Sequence, residues 1–183
     1  YSTQLFGERA KRVVDAHAAA ALLFLLLSFN AVHAPVWAPD ATYAAYPELG
    51  NITNGNRRKF AAALRSVDDA LLSVIKSLED AAMAKDSIII FASDNGANPE
   101  HGGSNAPLRG SKGYLFEGGI RVPAFLHGPT FLPRGAVFTG RFHVTDWVPT
   151  LASLVGLTIA DDDLIVAPPA DEDAAAVEEV RAA

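Results

Sequence analysis

Hydrophobic side chains recur at steps of three or four residues in two parts of the chain, and this spacing predicts two amphipathic helices. The clearer helix extends over 57–83. Its apolar positions would form one stripe along the helix: Phe60, Leu64, Val67, Leu71, Ile75 and Leu78. The other helix is expected over 3–17, with Ser2 or Thr3 as the residue that caps its start.

Continuous apolar runs predict strands. ALLFLLLSF, at 21–29, belongs to an apolar stretch of about twelve residues, which is shorter than the roughly 20 that a membrane-spanning helix needs. We therefore expect no membrane span, and instead a strand buried on both faces of a parallel sheet. SIIIFAS, at 87–93, predicts a second buried strand, and a third is expected at about 120–127.

The predicted helices and strands alternate along the chain. Clusters of Gly, Pro and Asn predict loops over 40–56 and 94–119, and a last helix is expected over 145–154 with Thr145 as its cap. Such alternation is typical of an α/β fold, in which helices flank a mostly parallel sheet.

Charge is concentrated at the end of the chain. The formal net charge is -6 and the pI is about 5.3. Residues 158–183 alone contribute -7, because they contain eight acidic residues and one arginine, so the preceding residues sum to +1. An acidic chain is poorly suited to the nucleic-acid backbone, and we expect no nucleic-acid partner. The alanine-rich, acidic tail over 158–183 is predicted to be weakly ordered.

Cysteine is absent from the sequence, which excludes a disulfide, a thiolate metal site and a cysteine nucleophile. The chain begins at Tyr1 with neither an initiator methionine nor a signal peptide, so we expect it to be a piece of a longer protein. Asn51-Ile52-Thr53 is a glycosylation sequon on a predicted loop. It makes Asn51 a candidate glycosylation site if that longer protein enters the secretory pathway.

Polar side chains follow two of the predicted strands. His33 comes after the strand at 21–29, and Asp94-Asn95-Gly96 comes after the strand at 87–93. The carboxyl ends of neighbouring parallel strands lie on one rim, where such sheets bind ligands. Asp94 and Asn95 offer the oxygen ligands that Ca²⁺ and Mg²⁺ favour, although Asp-Asn-Gly is equally a good turn sequence. His33 could donate to an anionic oxygen or protonate a leaving group, or could serve only as a structural residue.

The segment GGSNAPLRGSKGYLFEGGIRVP, at 102–123, combines six glycines with three basic side chains and one acid. Glycines allow a backbone to approach a ligand closely, and Lys112 could supply a compact positive charge for an anion. The spacing around Lys112 differs from that of a phosphate-binding GxxxxGK[ST] loop. A flexible surface loop with solvated charges is an equally good interpretation of the composition alone.

These residues together resemble a known family. FASDNG followed by the 102–123 segment is similar to the type I sulfatases, most closely the arylsulfatase B group, which hydrolyse sulfate esters. YSTQLFGERA, NAVHAP and RFHVTDWVPTLASLVG also resemble segments of these enzymes, in the same order. The resemblance covers residues 1–157 and implies the C-terminal part of a sulfatase catalytic domain, with an alkaline-phosphatase-like fold.

The resemblance implies a role for each candidate residue. Asp94 and Asn95 match a pair of Ca²⁺ ligands, Lys112 matches a lysine that contacts the sulfate group, and His33 matches a histidine on the sulfate or the ester oxygen. Both His33 and Lys112 would thus bind substrate and take part in catalysis. The charged residues Arg109, Glu117 and Arg121 are expected to form ion pairs that organise the loop. The implied partner is an aryl sulfate or a sulfated sugar, and the implied location is lysosomal or extracellular.

The chain also departs from the family pattern. It contains no C/S-x-P-S-R motif, from which sulfatases make their formylglycine nucleophile, and it lacks the early pair of aspartates that completes the metal site. The family's C-terminal subdomain is not recognisable after Gly156, and Ala97 follows Asp-Asn-Gly where many relatives have glycine. We therefore expect no turnover by the chain alone. The alternatives are an inactive, degenerate sulfatase that binds a partner or an anion, and, with less support, a phosphoryl-transfer relative.

Overall fold

The structure is a computed structural model that describes residues 1–18, 20–130, 132–157 and 159. The chain divides into two compact units, Tyr1–Gly135 and a second unit that begins at Ala136. The first unit contains the helices α1, α2, α3 and α4 and the strands β1 and β2, and the second contains α5. Their bounds are α1 Ser2–Asp15, α2 Asp40–Ala45, α3 Gly55–Asp80, β1 Ile89–Ala92, α4 Glu117–Ile120, β2 Ala124–His127 and α5 Trp147–Leu154.

The centre of the first unit is the packing of α1 against α3. Ala10 and Val14 of α1 meet Val74 and Leu78 of α3 in one buried cluster. The two helices approach closely because small residues face each other: a Cβ added to Gly7 would lie 2.6 Å from the Cβ of Ala70. Both predicted helices are therefore confirmed, with bounds that shift by one to three residues.

The buried face of α3 differs from the predicted stripe. Leu64, which the spacing placed in the stripe, keeps 40% of its surface exposed. Small residues occupy most of the buried face, which consists of Ala62, Ala63, Ser66, Val67, Ala70, Val74, Ser77 and Leu78. The reason is steric: at a close helix crossing, alanine and serine fit between the backbones and larger side chains lie beside the contact.

The helix starts also differ from the sequence prediction. Tyr1 is the residue before α1, and it makes no side-chain capping bond, so neither Ser2 nor Thr3 is the cap. Its ring instead lies edge-on to Trp37, with the centroids 5.2 Å apart. At the start of α3, the Oδ1 of Asn54 accepts a hydrogen bond from the backbone N–H of Arg57 at 2.9 Å, which is a true N-cap.

The predicted loop over 40–56 is largely helical. It contains α2 and a 3₁₀ turn at Pro47–Asn51. Its apolar residues have a core of their own, in which Ala38 and Leu49 pack against Ala62 of α3. The Pro and Gly residues therefore begin and end short helical turns instead of marking an irregular loop, and tertiary packing overrides their weak local preference.

The sheet is smaller than predicted and has the opposite orientation. β1 confirms the strand at 87–93, and β2 confirms the end of the one at 120–127, but the two pair antiparallel, with Phe91 opposite Phe125. Residues 21–29 form no strand, because no described segment supplies the neighbouring backbone that a ladder requires. Leu23 and Leu27 of this run pack on the α1–α3 core, whereas Leu22 is 96% exposed. Within the described residues, the expected parallel sheet is thus not found.

The second unit contains a 3₁₀ turn, Val144–Asp146, followed by α5. The helix at 145–154 is confirmed, but its cap is not Thr145. His143 begins the turn: its backbone N–H donates to Asp146 Oδ2 at 2.6 Å, and its Nδ1 accepts from the backbone N–H of Thr145. The predicted tail over 158–183 lies outside the described residues apart from Ile159. No helix in the described part of the chain is long and apolar enough to cross a bilayer.

Candidate functional site

Asp94 and Asn95 leave β1 in a hydrogen-bonded turn. The backbone N–H of Asn95 donates to Asp94 Oδ1 at 2.9 Å, and the hydroxyl of Ser93 donates to the carbonyl of Asn95 at 3.1 Å. The Asp94 side chain is exposed and that of Asn95 is half-buried. The turn interpretation of Asp-Asn-Gly is therefore correct as local structure, and it leaves oxygen atoms of Asp94 open to solvent.

Gly96 contacts the long glycine-rich segment through its backbone. Its N–H donates to the carbonyl of Gly119 at 2.8 Å. A Cβ at Gly96 would lie 1.8 Å from the carbonyl oxygen of Gly118, a residue whose own N–H donates to Arg109 O. Only glycine fits here, so two distant pieces of sequence meet backbone to backbone.

Asn105 joins the same two pieces through its side-chain amide. Its Oδ1 accepts from the N–H of Ala97 at 2.7 Å, and its Nδ2 donates to the carbonyl of Ala97 at 2.8 Å. The same Nδ2 also donates to the carbonyl of Gly110 at 3.2 Å. Sequence reasoning missed Asn105. The only available signal was an amide side chain inside a glycine-rich segment, where few other side chains could bond to the backbone.

Lys112 lies beside the turn that carries Asp94 and Asn95. Its backbone N–H donates to the carbonyl of Ala97 at 3.3 Å, and its side chain is exposed. The structure therefore brings the lysine segment and the Asp94-Asn95 turn together, through Ala97. An open groove of about 300 Å³ adjoins this junction and is lined by Pro99, Gly103, Ser104, Asn105, Ala106, Pro107, Leu108 and Gly110.

His33 lies in a separate turn. Its backbone N–H donates to Asn30 O at 2.8 Å, and its Nδ1 is 2.7 Å from the carbonyl oxygen of Ala34. The side chain is exposed. The expectation that His33 shares a rim with Asp94 depended on a strand at 21–29 paired with β1, and the described residues contain no such pairing. The structure does not join His33 to the other candidates by any described hydrogen bond.

Two residues at the start of α3 donate hydrogen bonds to the chain at the beginning of the glycine-rich segment. The side chain of Asn56 donates to the carbonyl of Glu100, and the guanidinium of Arg57 donates to the carbonyl of Gly102, both at 2.9 Å. Gly102 has a φ of 93° and is buried against Asn56, so the chain passes close to the helix there. The roles of Asn56 and Arg57 were also not predicted from the sequence. They anchor the candidate site to the helix that forms the core.

The charged residues of the segment behave differently from one another. Glu117 and Arg121 form the expected ion pair, with 3.1 Å between Oε2 and Nη1 across one turn. Both side chains are exposed, so the pair adds little stability. Arg109 instead stacks on the ring of Phe116, with its guanidinium carbon 3.8 Å from the ring centroid. That contact fixes the loop through a cation–π interaction in place of the ion pair expected for Arg109.

The described residues could supply only part of a metal site. Among the residues that the structure describes, no group of three or more His, Cys, Asp or Glu side chains could hold a metal ion. Asp94 and Asn95 nevertheless supply a carboxylate and an amide oxygen, the ligand types that a hard cation prefers. Ca²⁺ takes about six to eight oxygen ligands, so this pair fits part of a site and requires other ligands to complete it.

Comparison with known proteins identifies the family. The sulfatase family model matches residues 1–157, which include both the Asp94-Asn95 turn and the lysine segment. The chain belongs to the sulfatase family. This sulfatase chain is 43% identical over 162 residues to arylsulfatase J of Mus musculus, and 34% identical over 167 residues to N-acetylgalactosamine-6-sulfatase of Homo sapiens. These alignments cover 88% and 89% of the chain.

A solved structure has a similar fold. Ps i-CgsB in complex with k-i-k-neocarrahexaose has a TM-score of 0.81 and 33% identity, over 89% of this chain and 36% of that one. The sulfatase resemblance is therefore confirmed, and so is the alkaline-phosphatase-like fold family in its coarse form. The chain spans only 27% and 30% of the length of the two curated relatives.

Proposed function

We propose that this chain forms part of a sulfuric ester hydrolase, which cleaves aryl or sugar sulfates in a longer protein. The observation that carries the proposal is the junction at Ala97. It brings the lysine segment, through Lys112, to the turn that presents Asp94 and Asn95. The backbone contact supports a site in which the Lys112 ammonium and a cation on Asp94 and Asn95 face one anionic sulfate ester, because developing charge on the sulfuryl oxygens must be stabilised.

The candidate residues take distinct roles in this proposal. Asp94 and Asn95 hold one Ca²⁺ ion together with ligands from outside this chain. A bound Ca²⁺ supplies positive charge that polarises the sulfate ester. Lys112 binds a sulfate oxygen through its ammonium group, and its side chain is exposed, as substrate binding requires. His33 contacts the sulfate or donates a proton to the ester oxygen as it leaves.

The nucleophile must come from another part of the protein. The family resemblance implies a formylglycine made from a C/S-x-P-S-R motif, which this sequence does not contain. Turnover is accordingly proposed for a longer protein that includes such a motif, and not for the 183 residues alone.

The proposed substrate is a sulfate ester of an aryl group or a sugar. Support for the sugar comes from the relatives, since one is named for N-acetylgalactosamine and the solved neighbour holds an oligosaccharide. We also propose a secretory, lysosomal or extracellular location. Asn51 supports this location, because it lies exposed at the end of the 3₁₀ turn Pro47–Asn51, where a glycan could be attached.

The test is to join this chain to an upstream segment that contains C/S-x-P-S-R and to measure hydrolysis of an aryl sulfate. We expect Lys112→Ala and His33→Ala each to lower kcat/KM by about 100-fold or more, the usual loss for one charge-stabilising or proton-donating group. Lys76→Ala is the control, because Lys76 is an exposed lysine on α3 that pairs with Asp80 on the same helix. Unchanged rates in the first two variants would remove their roles, and a protein without any sulfatase activity would contradict the proposed function.

A further inference from the structure

We infer that Asn105 is a positioning residue, which fixes Lys112 relative to the Asp94-Asn95 pair. Its meaning for catalysis rests on the proposed function, but its contacts do not. The amide bonds to Ala97 on one side and to Gly110 on the other. Ala97 is two residues after Asn95, and Gly110 is two residues before Lys112. One side chain therefore sets the separation of the two segments that carry the site.

The geometry at Ala97 is a two-bond clamp. Asn105 Oδ1 accepts from the Ala97 N–H at 2.7 Å, and Asn105 Nδ2 donates to the Ala97 carbonyl at 2.8 Å, so the side-chain amide acts as the backbone of a neighbouring strand would. The second hydrogen of Nδ2 is directed to Gly110 O at 3.2 Å. The clamp uses one acceptor and both donors of the amide, which few other side chains could supply.

Apolar packing does not supply this connection, although the Gly96 N–H also joins the two segments further along, at the Gly119 carbonyl. The segment around Asn105 is rich in exposed residues, and its apolar side chains Leu115 and Tyr114 are themselves largely exposed. Hydrophobic burial therefore contributes little to the position of Lys112. At Ala97 the other direct link between the two segments is a longer hydrogen bond, which the Lys112 N–H donates to the Ala97 carbonyl at 3.3 Å.

The chain offers a matched control for a substitution at Asn105. Asn98 lies in the same loop, and its Oδ1 accepts from the N–H of Glu100 at 3.0 Å. In the described structure its amide nitrogen donates no hydrogen bond. Asn98→Asp therefore keeps the bond, whereas Asn105→Asp places a carboxylate oxygen against the carbonyls of Ala97 and Gly110. The two variants have the same change in charge and both lose an amide NH2 group, but only in Asn105→Asp is that group a hydrogen-bond donor in the described structure.

The first measurement is amide hydrogen exchange on the chain as it stands. At neutral pH, we expect Asn105→Asp to lower the protection factors of the Ala97 and Lys112 amides by at least about tenfold, as for the loss of a buried polar partner. Protection should return as the pH falls, because a protonated carboxyl regains one donor. Asn98→Asp should match the wild type, and α3 should stay protected in both. Unchanged loop protection in Asn105→Asp, or an equal loss in α3, would overturn the inference.

The second measurement is the aryl sulfatase assay in the longer protein. Asn105→Asp should lower kcat/KM by about 100-fold, since small displacements of a reacting group commonly cost that much. Relative to wild type, its activity should recover toward acidic pH, a change that a purely structural role would not produce. A loop that loses protection without any loss of rate would overturn the positioning role. If the wild-type longer protein is itself inactive, the proposed function fails, while the exchange data still decide on the contacts of Asn105.

Discussion

The helix pair and the glycine-rich segment of the first unit are held together in different ways. α1 and α3 bury Val14 to 1% exposure and pack small residues between their backbones. The segment that follows Asp94 is mostly exposed, and its shape depends on backbone hydrogen bonds, the amide of Asn105 and glycines that approach each other closely. Non-directional burial stabilises the first region, and directional polar contacts define the second.

This difference separates stability from site geometry. The free energy of unfolding should depend on the helix pair, because that is where apolar surface is removed from water. The position of Lys112 should depend on a few polar contacts, each of which contributes only about 1 kcal/mol net. Substitutions in the two regions should therefore have separable effects, and regions held by few apolar contacts open locally at lower cost than the core.

The largest expected effect comes from Gly96→Ala. The new Cβ would overlap the carbonyl oxygen of Gly118. Side-chain rotation cannot relieve this clash, because the backbone fixes the position of Cβ and the other atom belongs to the backbone. Overpacking commonly costs about 1–3 kcal/mol, and we expect the upper end here. Hydrogen exchange should show loop protection falling by about 100-fold, while α1 and α3 keep theirs.

Gly50→Ala is the control for Gly96→Ala, because a Cβ at Gly50 meets nothing within 4 Å. Its loop protection should equal that of the wild type. Should Gly96→Ala weaken the helix pair and the loop together, the two regions would form one cooperative unit, and the comparison above would be wrong.

The second effect is in the helix pair. Gly7→Ala brings a Cβ within 2.6 Å of Ala70 Cβ, so the helices must move apart. Overpacking should lower the free energy of unfolding by about 1–3 kcal/mol. The higher helix propensity of alanine restores about 0.5–1 kcal/mol, so the free energy of unfolding should fall by about 1 kcal/mol in total. Chemical denaturation would measure it. Loop protection, corrected for global unfolding, should not change.

Gly55→Ala provides the matched comparison, since Gly55 begins α3 in open space. At Gly55 the higher helix propensity of alanine acts without a steric clash, and we expect the free energy of unfolding to rise by up to about 0.5–1 kcal/mol. A Gly7→Ala chain as stable as Gly55→Ala would show that the α1–α3 contact has room to relax, and would remove the steric explanation of the small-residue face.

The helices were predictable because their hydrophobic spacing is a local property of the sequence. Their contact face was not, because the spacing rule weights large residues such as Leu64, whereas small residues of α3 meet α1 at Ala70 and the 38–49 segment at Ala62. The run at 21–29 shows a second limit. Apolar composition indicates a tendency to form a strand, but a ladder depends on a neighbouring backbone, which no local pattern specifies.

The candidate site was predictable in part. The family resemblance selected Asp94, Asn95 and Lys112, and the structure joins their segments through Ala97. Asn105 was not predictable, because its role depends on where its amide meets the backbone of Ala97 in three dimensions. For the same reason the proximity of His33 remains a prediction. It depends on a sheet partner that the described residues do not supply.

The smallest expected effect tests the surface of the helix pair. The hydrogen bond from the Lys11 ammonium lowers the pKa of Asp15 below its ordinary value. Protonation of Asp15 is therefore harder in the folded chain than in the unfolded one, where the pKa is about 3.9. The stabilisation is fully present above that value and is lost as the pH falls through the lowered pKa.

Lowering the pH below about 4 should accordingly reduce the free energy of unfolding more in the wild type than in Asp15→Asn, which cannot titrate at this position. Chemical denaturation at each pH would measure the difference. The difference should be small and should shrink at high salt, because both side chains are exposed. Lys11→Met should reduce it as well, since the Lys11 ammonium is the largest cause of the lowered pKa of Asp15, ahead of the Ser77 hydroxyl. An acid sensitivity that persists unchanged in both variants would assign the titration to another group. Loop protection should not follow Asp15 in any of these chains, because the groups that lower its pKa, Lys11 and Ser77, both lie on the helix pair.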